Sequence, residues 1–162
     1  MVTIYIGIGS NLNDPVQQVS QAIEELGHLA VSEMLKSSSL YRSEPMGPAN
    51  QPDYINAVCA LTTQLEPIDL LDKLQAIEQQ HGRLRDGEHW GPRTLDLDIL
   101  LFGEKTISDE RLTIPHPGLD QRSFVLYPLY EIAPDLDIPG LGPLQTLIAG
   151  CDRAGLERMN SA

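Results

Sequence analysis

Two aspartates stand one residue apart in the stretch RTLDLDILLF, Arg93 to Phe102. Alternate side chains of a strand point to opposite faces, so Asp96 and Asp98 would share one face and Leu95, Leu97, Ile99 and Leu101 the other. Positions i and i+2 of a strand lie ~6.5–7 Å apart along the backbone. Two carboxylates at that spacing repel by ~2.5 kcal/mol at an effective dielectric of ~20. The flanking leucines predict a central, partly desolvated strand, which makes both charges costlier. A hard divalent cation offsets this cost, and Mg²⁺ characteristically binds through one or two carboxylates plus phosphates. Two ions on such a pair can clamp a polyphosphate during displacement at phosphorus. Two plainer arrangements fit the same pattern: a sheet edge with its polar face in water, or ion pairs with nearby arginines.

The neighbours favour the metal. Arg93 immediately precedes the strand, Arg83 and Arg85 lie in the loop before it, and Arg111, His116 and Arg122 follow. Each guanidinium can bind phosphate oxygens in a bidentate fork. The chain carries a net charge of −12, yet residues 83–122 hold six of the 11 basic and eight of the 23 acidic residues, a local balance of only −2. That region is the least hostile to an anionic ligand. The overall acidity excludes general affinity for nucleic acid, which needs a basic surface.

The usual phosphate motifs are missing. No G-x-x-x-x-G-K-[ST] occurs, and GIGSNL (7–12) begins like a dinucleotide fingerprint but lacks the third glycine. Gly7 and Gly9 are therefore read as strand-end glycines that permit close backbone packing. Cys59 and Cys151 form no C-x-x-C pair; Cys59, in an apolar run, is expected to be a small core residue. No apolar run approaches the ~20 residues of a membrane helix, and MVTIYIGIGS lacks the basic start of a secretory signal. A cytoplasmic protein without a membrane partner is expected.

The elements that must position these groups follow from periodicity. Thr3 to Ile8 alternates as a strand. Asp14 then offers an N-cap with Pro15 at the first helical position; Val16, Val19, Ile23 and Leu26 follow at helical spacing, and Gly27 can end the helix. Residues 35–42 read as a serine-rich edge strand, 43–53 as a proline-rich loop, and Tyr54 to Thr63 as the next strand. Pro67 opens a second helix with a stripe of Leu70, Leu71, Leu74 and Ile77, closed by Gly82. RLRDGEHWGPR (83–93) is a second loop, and Leu95 to Phe102 the fourth strand. The order β-α-β-β-α-β is the split βαβ pattern of a ferredoxin-like α+β core. A C-terminal extension of turns follows, with short helices near 124–133 and 144–149. At 162 residues the chain is the size of one domain, able to bury roughly 70% of its unfolded surface.

GPRTLDLDILLF (91–102) resembles the signature of the 6-hydroxymethyl-7,8-dihydropterin pyrophosphokinase family, enzymes of the folate pathway. IGSNL (8–12), YRSEPMGPANQPDYINAV (41–58), IEQQHGRLR (77–85) and LTIPHPGLDQRSFVLYPLYEIAP (112–134) are similar to further blocks of that family, in the same order. The resemblance covers most of the chain and adds little over the last 20 or so residues. It implies a single pyrophosphokinase domain over 1–162, acting as a monomer. It implies that the pyrophosphoryl group of ATP moves to the hydroxymethyl oxygen of the pterin, releasing AMP, with two Mg²⁺ ions on Asp96 and Asp98.

The remaining roles are carried over residue by residue. Arg83 and Arg93 match arginines that stabilise the transferring phosphates. Arg85 matches a loop arginine that closes over the site, and Trp90 an aromatic that packs down with it. Gln75, Glu78, Ile99, Leu112, His116 and Arg122 match the nucleotide side. Taken without the family, Gln75 and Glu78 read as solvated helix surface. Tyr54 and Phe124 match two aromatics that sandwich the flat pterin, a contact suited to an extended π system. Asn56 matches the amide that reads the ring's amide-like edge, with backbone groups near Ser43 and Met46 completing the recognition. Loops 43–53 and 83–92 are expected to act as lids. His89 and Gly118 depart from the pattern, because many relatives carry arginine at both places; Pro117 departs where relatives carry tyrosine. Two rivals stay open: a non-catalytic ferredoxin-like module that binds a pterin or nucleotide, and a nucleotidyl transferase that uses the same aspartates and releases pyrophosphate.

Overall fold

The computed structural model describes residues 1–11, 14–43, 53–82, 95–153 and 155–159. In chain order the elements are β1 (Val2–Ser10), α1 (Pro15–Leu26), β2 (Ser32–Ser37), β3 (Tyr41–Ser43), β4 (Tyr54–Thr63), α2 (Pro67–Gln80) and β5 (Asp96–Phe102). They continue with β6 (Ile107–Ser108), β7 (Thr113–Ile114), a 3₁₀ turn (Leu119–Gln121), α3 (Ser123–Ile132), β8 (Asp137–Ile138), β9 (Gly142–Pro143), α4 (Leu144–Ala149) and β10 (Glu157–Arg158). The strand over 54–63 and the two late helices fall where the sequence places them.

The fold is a mixed α/β architecture built on one six-stranded sheet. Its order is β10-β3-β4-β1-β5, with β2 also paired to β4. All its pairings are antiparallel. Helices cover both faces. On one face Val19, Ala22 and Leu26 of α1 and Leu70 and Leu74 of α2 pack on Ile4, Ile6, Ile8, Ile55, Cys59, Leu61, Leu97 and Ile99. On the other, Val125, Leu126, Leu129 and Ile132 of α3 and Leu144 of α4 pack on Val58, Ala60, Leu100 and Leu101. Alternation along β4 divides its residues between the two cores. No helix among the described residues is long and apolar enough to cross a membrane.

Several local expectations are corrected. The serine-rich strand is two strands, β2 and β3, separated by residues 38–40. The Asp14 side chain makes no capping bond, and its backbone is left-handed at φ 61; Pro15 alone marks the helix start. The buried stripe of α1 takes in Ala22, while Val16 stays exposed and Ile23 half-buried. Leu101 does not share the face of Leu95, Leu97 and Ile99. Pairing with β1 shifts between Tyr5–Leu101 and Ile6–Ile99, leaving Leu100 as an extra residue. This bulge turns Leu101 to the α3 side and brings Phe102 into the α1–α2 core.

Nor is β5 central. Among the described residues it pairs only with β1 and forms an edge of the sheet. Glu78, far from being solvated surface, is 5% exposed and accepts the Leu97 backbone N–H at 2.8 Å. The Leu100 carbonyl accepts the His116 N–H at 3.0 Å. Two outward polar groups of this edge are thus taken up, one by α2 and one by the chain after β7.

Cys59 is a core residue, 0% exposed, and burial pushes its thiol up to about 12. A thiol-alkylating reagent at pH 8 should modify the half-buried Cys151 and leave Cys59 intact until denaturant is added, as mass spectrometry would report. Alkylation of Cys59 in the folded protein would contradict this packing.

Candidate functional site

The register of three strands sets Asp96, Gly9 and Asn56 in one row across the sheet, because Gly9 pairs with both Asp96 and Asn56. The next row is Asp98, Gly7 and Val58. Directly paired residues share a face, here the face covered by α3. The two glycines put no β1 side chain between the carboxylates and the Asn56 amide; the Leu100 side chain lies over Gly7, and the amide leans over Gly9. Neighbouring strands lie ~4.8 Å apart, so the backbones of Asp96 and Asn56 are about 10 Å apart with only a glycine between them.

A cavity of about 190 Å³ opens over this floor. Asp96, Asp98 and His116 line one side, Ser43, Tyr54 and Asn56 another, and Arg122, Phe124 and Val125 from the start of α3 stand against them. Eight residues that the sequence nominates therefore meet in one pocket: Ser43, Tyr54, Asn56, Asp96, Asp98, His116, Arg122 and Phe124. The floor glycines belong to it as well. Their G-x-G spacing within an alternating strand was the available signal, since it removes two side chains from one face.

The polar geometry is specific. Asn56 Nδ2 donates to Ser43 Oγ at 2.8 Å, within the buried wall. The opposite amide atom, Oδ1, faces Gly9, where a Cβ would lie 3.2 Å from it. Burial, and then the Asp96 carboxylate, push the Tyr54 phenol above its ordinary value, so this ring stays neutral at physiological pH. The Asp98 side chain is 50% exposed, and its Oδ1 lies 3.8 Å from His116 Nε2. Nδ1 of His116 is buried with no hydrogen-bond partner among the described residues. The Arg122 guanidinium lies over the Phe124 ring, 5.8 Å from its centroid, a cation–π contact that helps to fix the ring. Gly118 has φ +81, and a Cβ there would meet Arg122 Nε at 3.3 Å. The glycine lets Arg122 lie close to the backbone; an arginine at 118 would strain the chain and crowd it.

Other nominated residues lie elsewhere. Gln75 is exposed on α2 and accepts a long 3.4 Å bond from Arg111, which also binds Asp72 at 2.7 Å. The side chains of Ile99 and Leu112 are buried in the α1–α2 core, and Glu78 holds the edge of β5. None of these four lines the cavity. Met46, Arg83, Arg85, His89, Trp90 and Arg93 fall outside the described residues, as do most of the two loops expected to be lids.

The donor set suits a hard cation: two carboxylates on one strand face, one of them half-exposed, and no sulfur among the lining residues. No group of three or more metal-binding side chains occurs among the described residues. A helix-covered antiparallel sheet thus carries a pocket of small-molecule size that joins paired carboxylates to aromatic and amide groups.

The chain belongs to the 7,8-dihydro-6-hydroxymethylpterin-pyrophosphokinase family, whose model matches residues 5–134. It is 49% identical over 159 residues, 98% of both chains, to the 2-amino-4-hydroxy-6-hydroxymethyldihydropteridine pyrophosphokinase of Pseudomonas aeruginosa. It is 52% identical over 139 residues, 86% of both chains, to the protein of the same name from Haemophilus influenzae. Among solved structures it is similar to an HPPK-DHPS in complex with substrates, with a TM-score of 0.74 over 92% of this chain at 12% identity. The chain spans 43% of that protein's length, and at this identity the likeness is one of fold.

Gly9→Ala should leave the sheet intact and push the Asn56 side chain away from the floor, since the new methyl would start 3.2 Å from Oδ1. A crystal structure of the variant checks this. An Asn56 side chain in its original place would show that the floor tolerates a Cβ.

Proposed function

We propose that this protein transfers the pyrophosphoryl group of ATP to the hydroxymethyl oxygen of 6-hydroxymethyl-7,8-dihydropterin, releasing AMP, in folate biosynthesis. The observation that carries the reading is the row Asp96–Gly9–Asn56. A bicyclic ring read by Asn56 at one end would extend its hydroxymethyl arm past Gly9 toward the carboxylates. Names and identities of the relatives support the same activity.

Tyr54 and Phe124 take the two faces of the ring, and stacking adds about 0.5–1.5 kcal/mol beyond burial for an aromatic pair. The Asn56 amide pairs with the ring's donor–acceptor edge, joined by backbone groups near Ser43 and Met46; analogues that leave such an edge unpaired are rejected. Asp96 and Asp98 would hold two Mg²⁺ ions, which would neutralise polyphosphate charge and polarise its oxygens. His116 and Arg122 bind phosphate from the pocket wall. Arg83 and Arg93 stabilise the transferring group, and Arg85 and Trp90 close over it to exclude water, which could otherwise accept the same group. Gln75 and Glu78 lie on the nucleotide side, where Glu78 acts by holding β5 in place. Ile99 and Leu112, with buried side chains, contribute through their main chains. No side chain is needed as a strong base, because catalysis rests on positioning and charge neutralisation.

The core is read as ferredoxin-like. With β2 and β3 taken as one interrupted strand, the antiparallel order β5-β1-β4-β2/β3 supports that reading. Residues 1–162 act as one domain, as a cytoplasmic monomer.

Incubation with ATP, Mg²⁺ and the pterin alcohol should yield AMP and the pterin pyrophosphate, identified by chromatography and ³¹P NMR. Release of pyrophosphate would replace this reading with nucleotidyl transfer, and binding without turnover would make the protein a sensor. Asp96→Ala and Asp98→Ala should each cut turnover by at least about a hundredfold, the scale of a lost charge-stabilising group, with an unchanged circular dichroism spectrum. Near-normal turnover at saturating Mg²⁺ and ATP would remove them from the metal site.

A further inference from the structure

Outside the pocket, the Glu131 carboxylate on α3 gathers bonds from the interruption between β2 and β3. It accepts the Ser39 backbone N–H at 3.1 and 3.0 Å, the Ser39 hydroxyl at 3.0 Å and the Tyr41 hydroxyl at 2.7 Å. Arg158 of β10 lies 3.5 Å from the same carboxylate and donates to Ser39 Oγ at 3.1 Å. The Glu131 side chain is only 21% exposed. Burial and the bond to Glu131 push the Tyr41 phenol far above its ordinary value, so it remains a donor to the carboxylate at physiological pH.

The interruption is a bulge. Ser37 pairs with Cys59 and Tyr41 with Asn56, so residues 38–40 face only 57 and 58. Ser38 spans the gap: its N–H donates to the Val58 carbonyl at 2.8 Å, and its hydroxyl accepts the Val58 N–H at 2.9 Å. Ser39 is the surplus residue, and its N–H leaves the ladder for Glu131. The bulge decides parity. A slip of one residue would turn every later side chain of the strand to the other face. With the bulge in place, Tyr41 and Ser43 face α3, and Ser43 Oγ reaches Asn56 Nδ2 at 2.8 Å.

We propose that Glu131 is a positioning residue: it fixes the β2–β3 bulge, thereby places Ser43 on the pocket face, and through Ser43 sets the orientation of the Asn56 amide. The bound Nδ2 leaves Oδ1 directed at the pocket floor. The ligand this favours rests on the function proposed above; the mechanical link does not.

The first test needs no ligand. In ¹⁵N-labelled protein the Asn56 side-chain amide pair is assigned by its loss in Asn56→Asp. Glu131→Ala should move this pair toward its position in Ser43→Ala, and the double variant should match Ser43→Ala alone. Tyr41→Phe, which deletes one hydroxyl, should move it part of the way and serves in place of Glu131→Ala if that variant does not fold. Leu144→Ala, which loosens the same helical layer, should leave the pair unmoved. An unmoved pair in folded Glu131→Ala or Tyr41→Phe, additive shifts in the double variant, or an equal shift in Leu144→Ala would overturn the proposal. In the assay above, Glu131→Ala should raise KM for the pterin by about five- to tenfold, the scale of one lost neutral hydrogen bond, with KM for ATP unchanged. A wild-type protein that binds no pterin would sink the function but leave the amide test decisive.

Discussion

The site depends on strand register. Gly7 and Gly9 sit where β1 lies between the paired acids of β5 and the amide of β4. A side chain at Gly9 would press on the Asn56 amide, and one at Gly7 on Leu100. Because paired residues share a face, the register of β1 with its two neighbours fixes at once which carboxylates, which amide and which aromatic look into the same space. Helix α3 then closes that space, with Arg122 and Phe124 at its start and Glu131 near its end. One helix thus furnishes a wall of the pocket and holds the strand that forms the opposite wall.

The placement of the carboxylates resolves the electrostatic difficulty of two like charges on one strand. An edge strand leaves Asp98 half-exposed, and water lowers the cost of both charges. An edge also exposes unpaired backbone groups. Here the Glu78 carboxylate takes the N–H of Leu97, the residue between the two aspartates, and the His116 N–H takes the carbonyl of Leu100. The acids are therefore carried on a strand that is hydrated on one side and anchored along its rim. A mobile edge would let the two carboxylates drift apart from the floor they serve.

Much of this was legible in the chain. Alternation located β1, β4 and β5, prolines located the starts of α1 and α2, and the i, i+2 spacing put Asp96 and Asp98 on one face. Family blocks then nominated Ser43, Tyr54, Asn56, His116, Arg122 and Phe124, which all line the cavity. Local pattern was misleading where a single residue breaks the period. Leu100 bulges and reverses Leu101, and the extra residue at 38–40 splits one expected strand into two. Leucines on both sides of the aspartates suggested a central strand, although helices on both faces make an edge strand equally apolar. Glu78 read as helix surface because periodicity does not reveal a neighbouring backbone N–H that needs an acceptor.

Composition and spacing by themselves determined the main helices and strands and the placing of the two acids on one face, because these follow from interactions within a few residues. Only the tertiary structure decided that β5 is an edge, that two glycines form a floor, and that Glu131 and Glu78 hold backbone rather than solvent. Those outcomes depend on which strands become neighbours and in what register, and contacts between residues dozens of positions apart leave no periodic trace in the chain.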